Sequence, residues 1–143
     1  MKGILYLTVT ILCLYNVKAG EVPEEIKHLV VGLREKCHRE TGVDIEHVDR
    51  TVEGYFHPSE TLGCYFSCLF NSFDLLDHDG HLDWDKAISK LDAVGSLRDH
   101  AMDFINACRG TTGANPCESA LNIVQCFQKA YPDVSTHYLK YIK

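Results

Sequence analysis

Apolar side chains in this sequence recur at helical spacing. After Pro23, Ile26, Leu29, Val30, Leu33 and Cys37 fall three and four residues apart, the stripe of a core-facing amphipathic helix that Gly42 ends. Asp44 is placed to cap a second, shorter helix with Ile45, Val48 and Val52 on its inner side, and Gly54 with the His57-Pro58 step breaks it. Ser59 is placed to cap a third helix, from Glu60 to about Leu76, in which Leu62, Cys64, Tyr65, Phe66, Cys68, Leu69, Phe70 and Phe73 leave little polar surface. A helix apolar nearly all round is covered by neighbours on several sides. The run 77–83 (DHDGHLD) reads as a turn, with Asp83 capping a fourth helix that carries Trp84, Ala87, Ile88 and Leu91. Gly95 and Ser96 separate it from a fifth, lined by Leu97, Ala101, Phe104, Ile105 and Cys108. The sixth has the strongest start signal: Asn115 at the N-cap, Pro116 at the first helical position and Glu118 placed for a capping box, followed by Ala120, Leu121, Val124 and Phe127 until Pro132.

No alternating strand pattern of comparable strength occurs, so the pattern predicts an all-α domain of about six helices with a short tail, 133–143. The first residues differ in kind. Lys2 precedes an almost uninterrupted apolar stretch, 3–17, and Val17-Lys18-Ala19 offers a cleavage site after residue 19. The stretch is short for a membrane span of about 20 residues, which predicts a secretory signal peptide over 1–19 and a mature domain over 20–143. Cleavage would also remove Cys13, turning seven cysteines into six. An even count in a short exported chain reads as a disulfide framework.

Charge narrows the partners. The chain has 14 Lys and Arg against 20 Asp and Glu, and since Lys2 and Lys18 fall in the leader, the net charge of −6 becomes −8 on cleavage. With no basic block, nucleic acid and anionic membrane surfaces are poor partners.

The six cysteines, Cys37, Cys64, Cys68, Cys108, Cys117 and Cys126, are spaced C-x26-C-x3-C-x39-C-x8-C-x8-C. Cys64 and Cys68, one helical turn apart, have Cβ atoms roughly 5–6 Å apart and should not bridge each other. Cys117 and Cys126 on another helix are separated by about 13.5 Å along its axis. Excluding these two pairs leaves most of the fifteen possible pairings open.

This spacing, with the leader, the acidic balance, the helix order and the acidic glycine-containing turn after the third helix, resembles the insect odorant-binding protein family (pheromone- and general odorant-binding proteins). The resemblance covers the whole mature chain. It implies interlocked bridges, Cys37 with Cys68, Cys64 with Cys117 and Cys108 with Cys126, stapling the helices around an apolar cavity. It further implies a secreted carrier that binds small hydrophobic ligands, odorants or pheromones, and transports them through aqueous lymph toward a membrane odorant receptor. Other members of the family carry lipids or hormones in other fluids. The alternative from another class is a secreted helical interaction or defence factor with a filled core and a protein partner.

Candidate ligand contacts on the third to sixth helices are Phe66, Phe70, Phe73, Leu91, Met102, Ile105, Val124 and Phe127, with Asn71 as a polar contact. Met102 offers a thioether that adapts to varied shapes. The tail is amphiphilic, and the family resemblance implies that such a C-terminal segment can close over the cavity, which makes Tyr138, Leu139 and Ile142 a candidate lid; His137 is the natural residue for a release switch among eight histidines. Other chemistry finds little support. Counted from Asp77, Gly80 stands at position four and Ile88 at twelve, where an EF-hand needs glycine at six and glutamate at twelve, so no metal is expected. The chain lacks G-x-S-x-G, H-E-x-x-H, a glycine-rich phosphate loop and the paired cysteines of secreted phospholipases. Neither catalysis nor a cofactor is expected.

Overall fold

A computed structural model of the chain describes residues 24–92 and 98–133. The leader, 1–19, and the tail residues Tyr138, Leu139, Ile142 and His137 lie outside the described residues. Among the described residues six α-helices follow one another: α1 (Glu24–Thr41), α2 (Ile45–Arg50), α3 (Glu60–Ser72), α4 (Trp84–Ser89), α5 (Arg98–Cys108) and α6 (Pro116–Ala130), and a 3-10 turn, Thr51–Glu53, follows α2. No strand occurs among the described residues, where Leu76 and Leu82 form an isolated antiparallel bridge across the acidic turn.

The helix starts follow their capping residues. Asp44 accepts from the Glu46 N–H, Asp83 from the Lys86 N–H and Asn115 from the Glu118 N–H, each supplying an acceptor to a donor the helix leaves unpaired. Glu118 reaches back to the Ala114 N–H, one residue before the cap, at 2.9 Å. Ser59 occupies the N-cap of α3 without a side-chain cap bond. The predicted third helix is too long. It ends at Ser72 because Asp74 turns left-handed (φ 54°), while the Leu75 N–H bonds Phe70 O and the Asp74 N–H bonds Asn71 O. That is a Schellman ending with aspartate where glycine is usual. Lys86 and Lys90 secure it: both reach Asp74, Lys86 also donates to Leu76 O, and Lys90 donates to Phe73 O at 3.0 Å.

α1 departs from its predicted stripe. Cys37 is fully buried, Val30 and Leu33 are half-buried, and Leu29 is 49% exposed, because full burial on α1 is confined to its C-terminal half, where it packs on α3. A partly buried Arg34–Asp49 ion pair of 2.7 Å ties α1 to α2. The main core joins Cys37, Val43, Val48, Leu62, Tyr65, Phe66 and Ala120, with Leu69, Phe70, Leu121 and Val124 packed against it. Its centre is the α3–α6 crossing, the most extensive helix contact in the molecule.

Three disulfides hold the helices: Cys37–Cys68 joins α1 to α3, Cys64–Cys117 joins α3 to α6, and Cys108–Cys126 joins α5 to α6. This is the interlocked pairing that the family resemblance implies. The bridges span 31, 53 and 18 residues, and loop-closure entropy makes each worth about 3–4 kcal/mol against the reduced chain.

Gly63 sets the closeness of the α3–α6 crossing. A Cβ there would collide with the Cys117 carbonyl oxygen and stand 2.9 Å from its carbon, whereas a Cβ on exposed Gly32 in α1 would meet nothing within 4 Å. Gly63→Ala should therefore cost about 1–3 kcal/mol, and Gly32→Ala should stabilise by up to about 1 kcal/mol through helix propensity. Denaturant unfolding of the two variants checks the contrast, and equal effects would show that the crossing is not steric.

Candidate functional site

Seven of the nine candidate ligand contacts fall into two sets along the third to sixth helices. On the α3 side, Phe66 is buried in the main core, and half-buried Phe70 and Val124 pack against it. On the α4–α5 side, Leu91, one turn past α4, and Ile105 on α5 are buried outside that cluster, while Met102 and Phe127 are half-buried. Two candidates fall away from both sets. Asn71 is exposed and Phe73 is 40% exposed, because the early Schellman ending of α3 stops the helix and places both at its outer end.

Aromatic rings connect α4, α5 and α6. Trp84 and Phe104 have centroids 6.2 Å apart, Phe104 and Phe127 meet edge to face at 4.7 Å, and Phe127 and Tyr131 stand 6.2 Å apart. All four rings are half-buried. Trp84, Phe104 and Tyr131 are absent from the sequence-derived ligand set, although Trp84 and Phe104 stand on predicted inner faces. The meeting of Trp84, Phe104 and Phe127 depends on how α4, α5 and α6 pack, which periodicity within one helix does not fix, whereas Tyr131 follows Phe127 by four residues, a spacing the sequence does show.

The acidic turn positions Trp84. Asp77 Oδ1 accepts from the Asp79 and His81 N–H groups at 2.9 and 3.0 Å, the Asp77 N–H bonds His81 O, and the Asp83 N–H bonds Leu75 O. The turn is also pinned to α6. His81 Nδ1 lies 3.0 Å from the buried Ser119 Oγ, which accepts from the Gly113 N–H at 2.8 Å. The acidic residues here thus close a turn, and no group of three or more His, Cys, Asp or Glu among the described residues could hold a metal ion.

A separate groove of about 340 Å³ opens between the N-terminal ends of α3 and α6, lined by Pro58, Ser59, Glu60, Gly63, Asn115, Cys117, Glu118 and Leu121. It contains none of the candidate ligand contacts.

Electrostatic perturbation falls outside the aromatic region. Burial raises the Tyr65 hydroxyl pKa, with the Arg34 charge acting the other way and Asp49 reinforcing it. A Lys90 hydrogen bond, followed by the charges of Lys86 and Lys90, holds the Asp74 carboxyl below its ordinary range. At Asp77 the His81 N–H does most, helped by the Asp79 N–H and by the His78 and His81 charges.

The sequence model of the PBP/GOBP family matches residues 19–130. General odorant-binding protein 56a of Drosophila melanogaster is 28% identical over 111 residues, covering 76% of this chain and 78% of that protein. Among solved structures, odorant binding protein 7 from Anopheles gambiae, with four disulfide bridges and in complex with an azo compound, superposes with a TM-score of 0.72 at 23% identity, covering 85% of this chain and 95% of that one. The fatty acid binding protein OBP56a from the oral disk of the blowfly Phormia regina superposes with a TM-score of 0.57 at 24% identity, covering 77% and 95%. These structures share the fold of this chain.

A carboxylate whose folded pKa is lowered stabilises the fold above its unfolded value, and that stability is lost as pH falls through the folded value. For Asp77 the loss lies below about pH 4. Asp77→Asn keeps an acceptor oxygen without the charge, so it should unfold at lower denaturant than wild type at pH 7, and the gap should close as pH falls toward 2. A gap that does not change with pH would show that the turn does not use the carboxylate charge.

Proposed function

We propose, from the premise that this chain belongs to the PBP/GOBP family, that it is a secreted carrier which binds a small apolar ligand, an odorant or pheromone, and moves it through aqueous lymph toward a membrane receptor. Family and fold are those of odorant-binding carriers. The observation that carries the reading is the α4–α6 region: Leu91 and Ile105 are buried outside the main core cluster, and four half-buried rings connect α4, α5 and α6. Sites for small apolar molecules are built from apolar surface with few polar groups. Ligand-binding relatives of this fold include a mosquito protein in complex with an azo compound and a blowfly fatty acid binding protein.

In this reading Leu91, Met102, Ile105, Val124 and Phe127 contact the ligand, and Phe66 and Phe70 form the wall toward the main core. Residues 1–19 direct export, and the bridges suit an oxidising compartment. Binding requires no bond to be made or broken. Burying about ten methylene-like carbons yields roughly 8 kcal/mol before the cost of immobilising the ligand. Micromolar affinity, about 8.2 kcal/mol, is accordingly the upper end for an apolar ligand without specific contacts.

Oxidised mature protein should take up an environment-sensitive naphthylamine dye saturably, release it to apolar volatiles, and give one-to-one adducts in native mass spectrometry. Correctly folded, fully oxidised protein that takes up no dye and forms no adduct would instead favour the helical interaction factor, whose partner is a protein.

A further inference from the structure

The ring series Trp84, Phe104, Phe127 and Tyr131 makes a demand on ligand chemistry that apolar surface alone does not. The geometry points to a neutral, aromatic-ring-bearing ligand, held by these rings in preference to a saturated chain or a fatty acid carboxylate. The inference rests on the carrier reading and specifies the ligand class of that same site.

Two observations support it. The first is arrangement. Phe104 and Phe127 meet edge to face at 4.7 Å with planes 77° apart, and Trp84 and Tyr131 flank them at 6.2 Å with tilts of 53° and 40°. All four rings remain only half-buried. A ring quadrupole has a negative face and a positive edge, so a flanked edge-to-face pair continues with another ring in the same pattern. An alkyl chain gains only from area, whereas each well-placed ring pair adds about a two- to tenfold affinity gain beyond area.

The second observation is charge. The Lys and Arg side chains of the α4–α5 stretch among the described residues are engaged by carboxylates or carbonyls. Lys86 and Lys90 bind Asp74 and the carbonyls of Leu76 and Phe73, Arg98 pairs with Asp92, and Arg109 pairs with Asp85 at 2.9 Å. On α6, Lys129 is exposed and follows Phe127 by two residues, which places it on another side of the helix. A carboxylate brought to the rings would lose its hydration, and the Lys and Arg side chains just named are already engaged; burying an unpaired charge is strongly unfavourable.

The test uses the oxidised mature protein and four ligands with nine carbons each: 3-phenylpropan-1-ol, 3-cyclohexylpropan-1-ol, nonan-1-ol and nonanoic acid. Displacement of the naphthylamine dye gives affinities. The single tryptophan, Trp84, gives an independent reading through its emission. The phenyl alcohol should bind at least about threefold tighter than its more hydrophobic cyclohexyl counterpart, and should change Trp84 emission more. Nonanoic acid at pH 7 should bind weakest. Phe127→Leu should weaken the phenyl alcohol more than the cyclohexyl alcohol and so bring the phenyl-to-cyclohexyl ratio near one, and Phe104→Leu provides the same reading through a second site should the first variant fail to fold by circular dichroism. Equal or tighter binding of the cyclohexyl alcohol, or tightest binding of nonanoic acid, with dye uptake intact, would overturn this inference and leave the carrier reading standing. Absence of dye uptake by folded protein would overturn both.

Discussion

The contact between Gly63 of α3 and the Cys117 carbonyl of α6 is the constraint on which the rest of the molecule hangs. Only a residue without a Cβ lets the two backbones come this close. That approach brings the Cα atoms of neighbouring Cys64 and Cys117 to 4.3 Å, within reach of a bridge. Packing and covalent chemistry therefore act at one crossing. Cys68 lies one turn beyond Cys64 on α3 and ties it to α1, and Cys126 lies further along α6 and ties it to α5. Each remaining bridge extends outward from the α3–α6 pair.

This arrangement divides the apolar residues. The side chains nearest the crossing, Leu62, Phe66, Ala120 and their α1–α2 neighbours, form a filled core. Leu91 and Ile105 are buried apart from it, and the rings that connect α4, α5 and α6 are half-buried. A domain held only by hydrophobic burial gains by packing such residues tightly, since unfilled space forfeits contacts. Bridges worth about 3–4 kcal/mol each relax that requirement. The α4–α5 side can then serve a guest without the fold depending on its being filled.

What the sequence revealed follows the range over which its signals act. Helix order, the caps at Asp44, Asp83 and Asn115, and the apolar faces of α3 and α6 were legible because caps and periodicity are local. The end of α3 was not, because its stop signal is Asp74 in a left-handed conformation and depends on Lys86 and Lys90 from the next helix. The exposure of Leu29 was hidden for a similar reason: periodicity tells which side of α1 is apolar, and only the position of α3 tells how far along α1 a partner extends. At the candidate site, inner-face residues such as Ile105 and Phe127 could be read from their own helices. The meeting of Trp84 with Phe104, and of Phe104 with Phe127, could not. The spacing of the cysteines left many pairings open by geometry, and the family pattern selected among them.

The acidic turn shows how one sequence feature can carry a different role from the one its composition suggests. Asp77, Asp79 and Asp83 around Gly80 invite a cation, yet Asp77 is occupied by two backbone N–H groups, Asp83 caps α4, and Gly80, with φ 82°, lies against Pro116. With His81 pinned to Ser119, the turn is a rigid corner fixed to the start of α6. Its consequence is at Trp84, the first residue of α4, whose ring faces Phe104. Carboxylates that bind no ligand themselves thus fix the direction of the aromatic wall that the proposed ligand would meet.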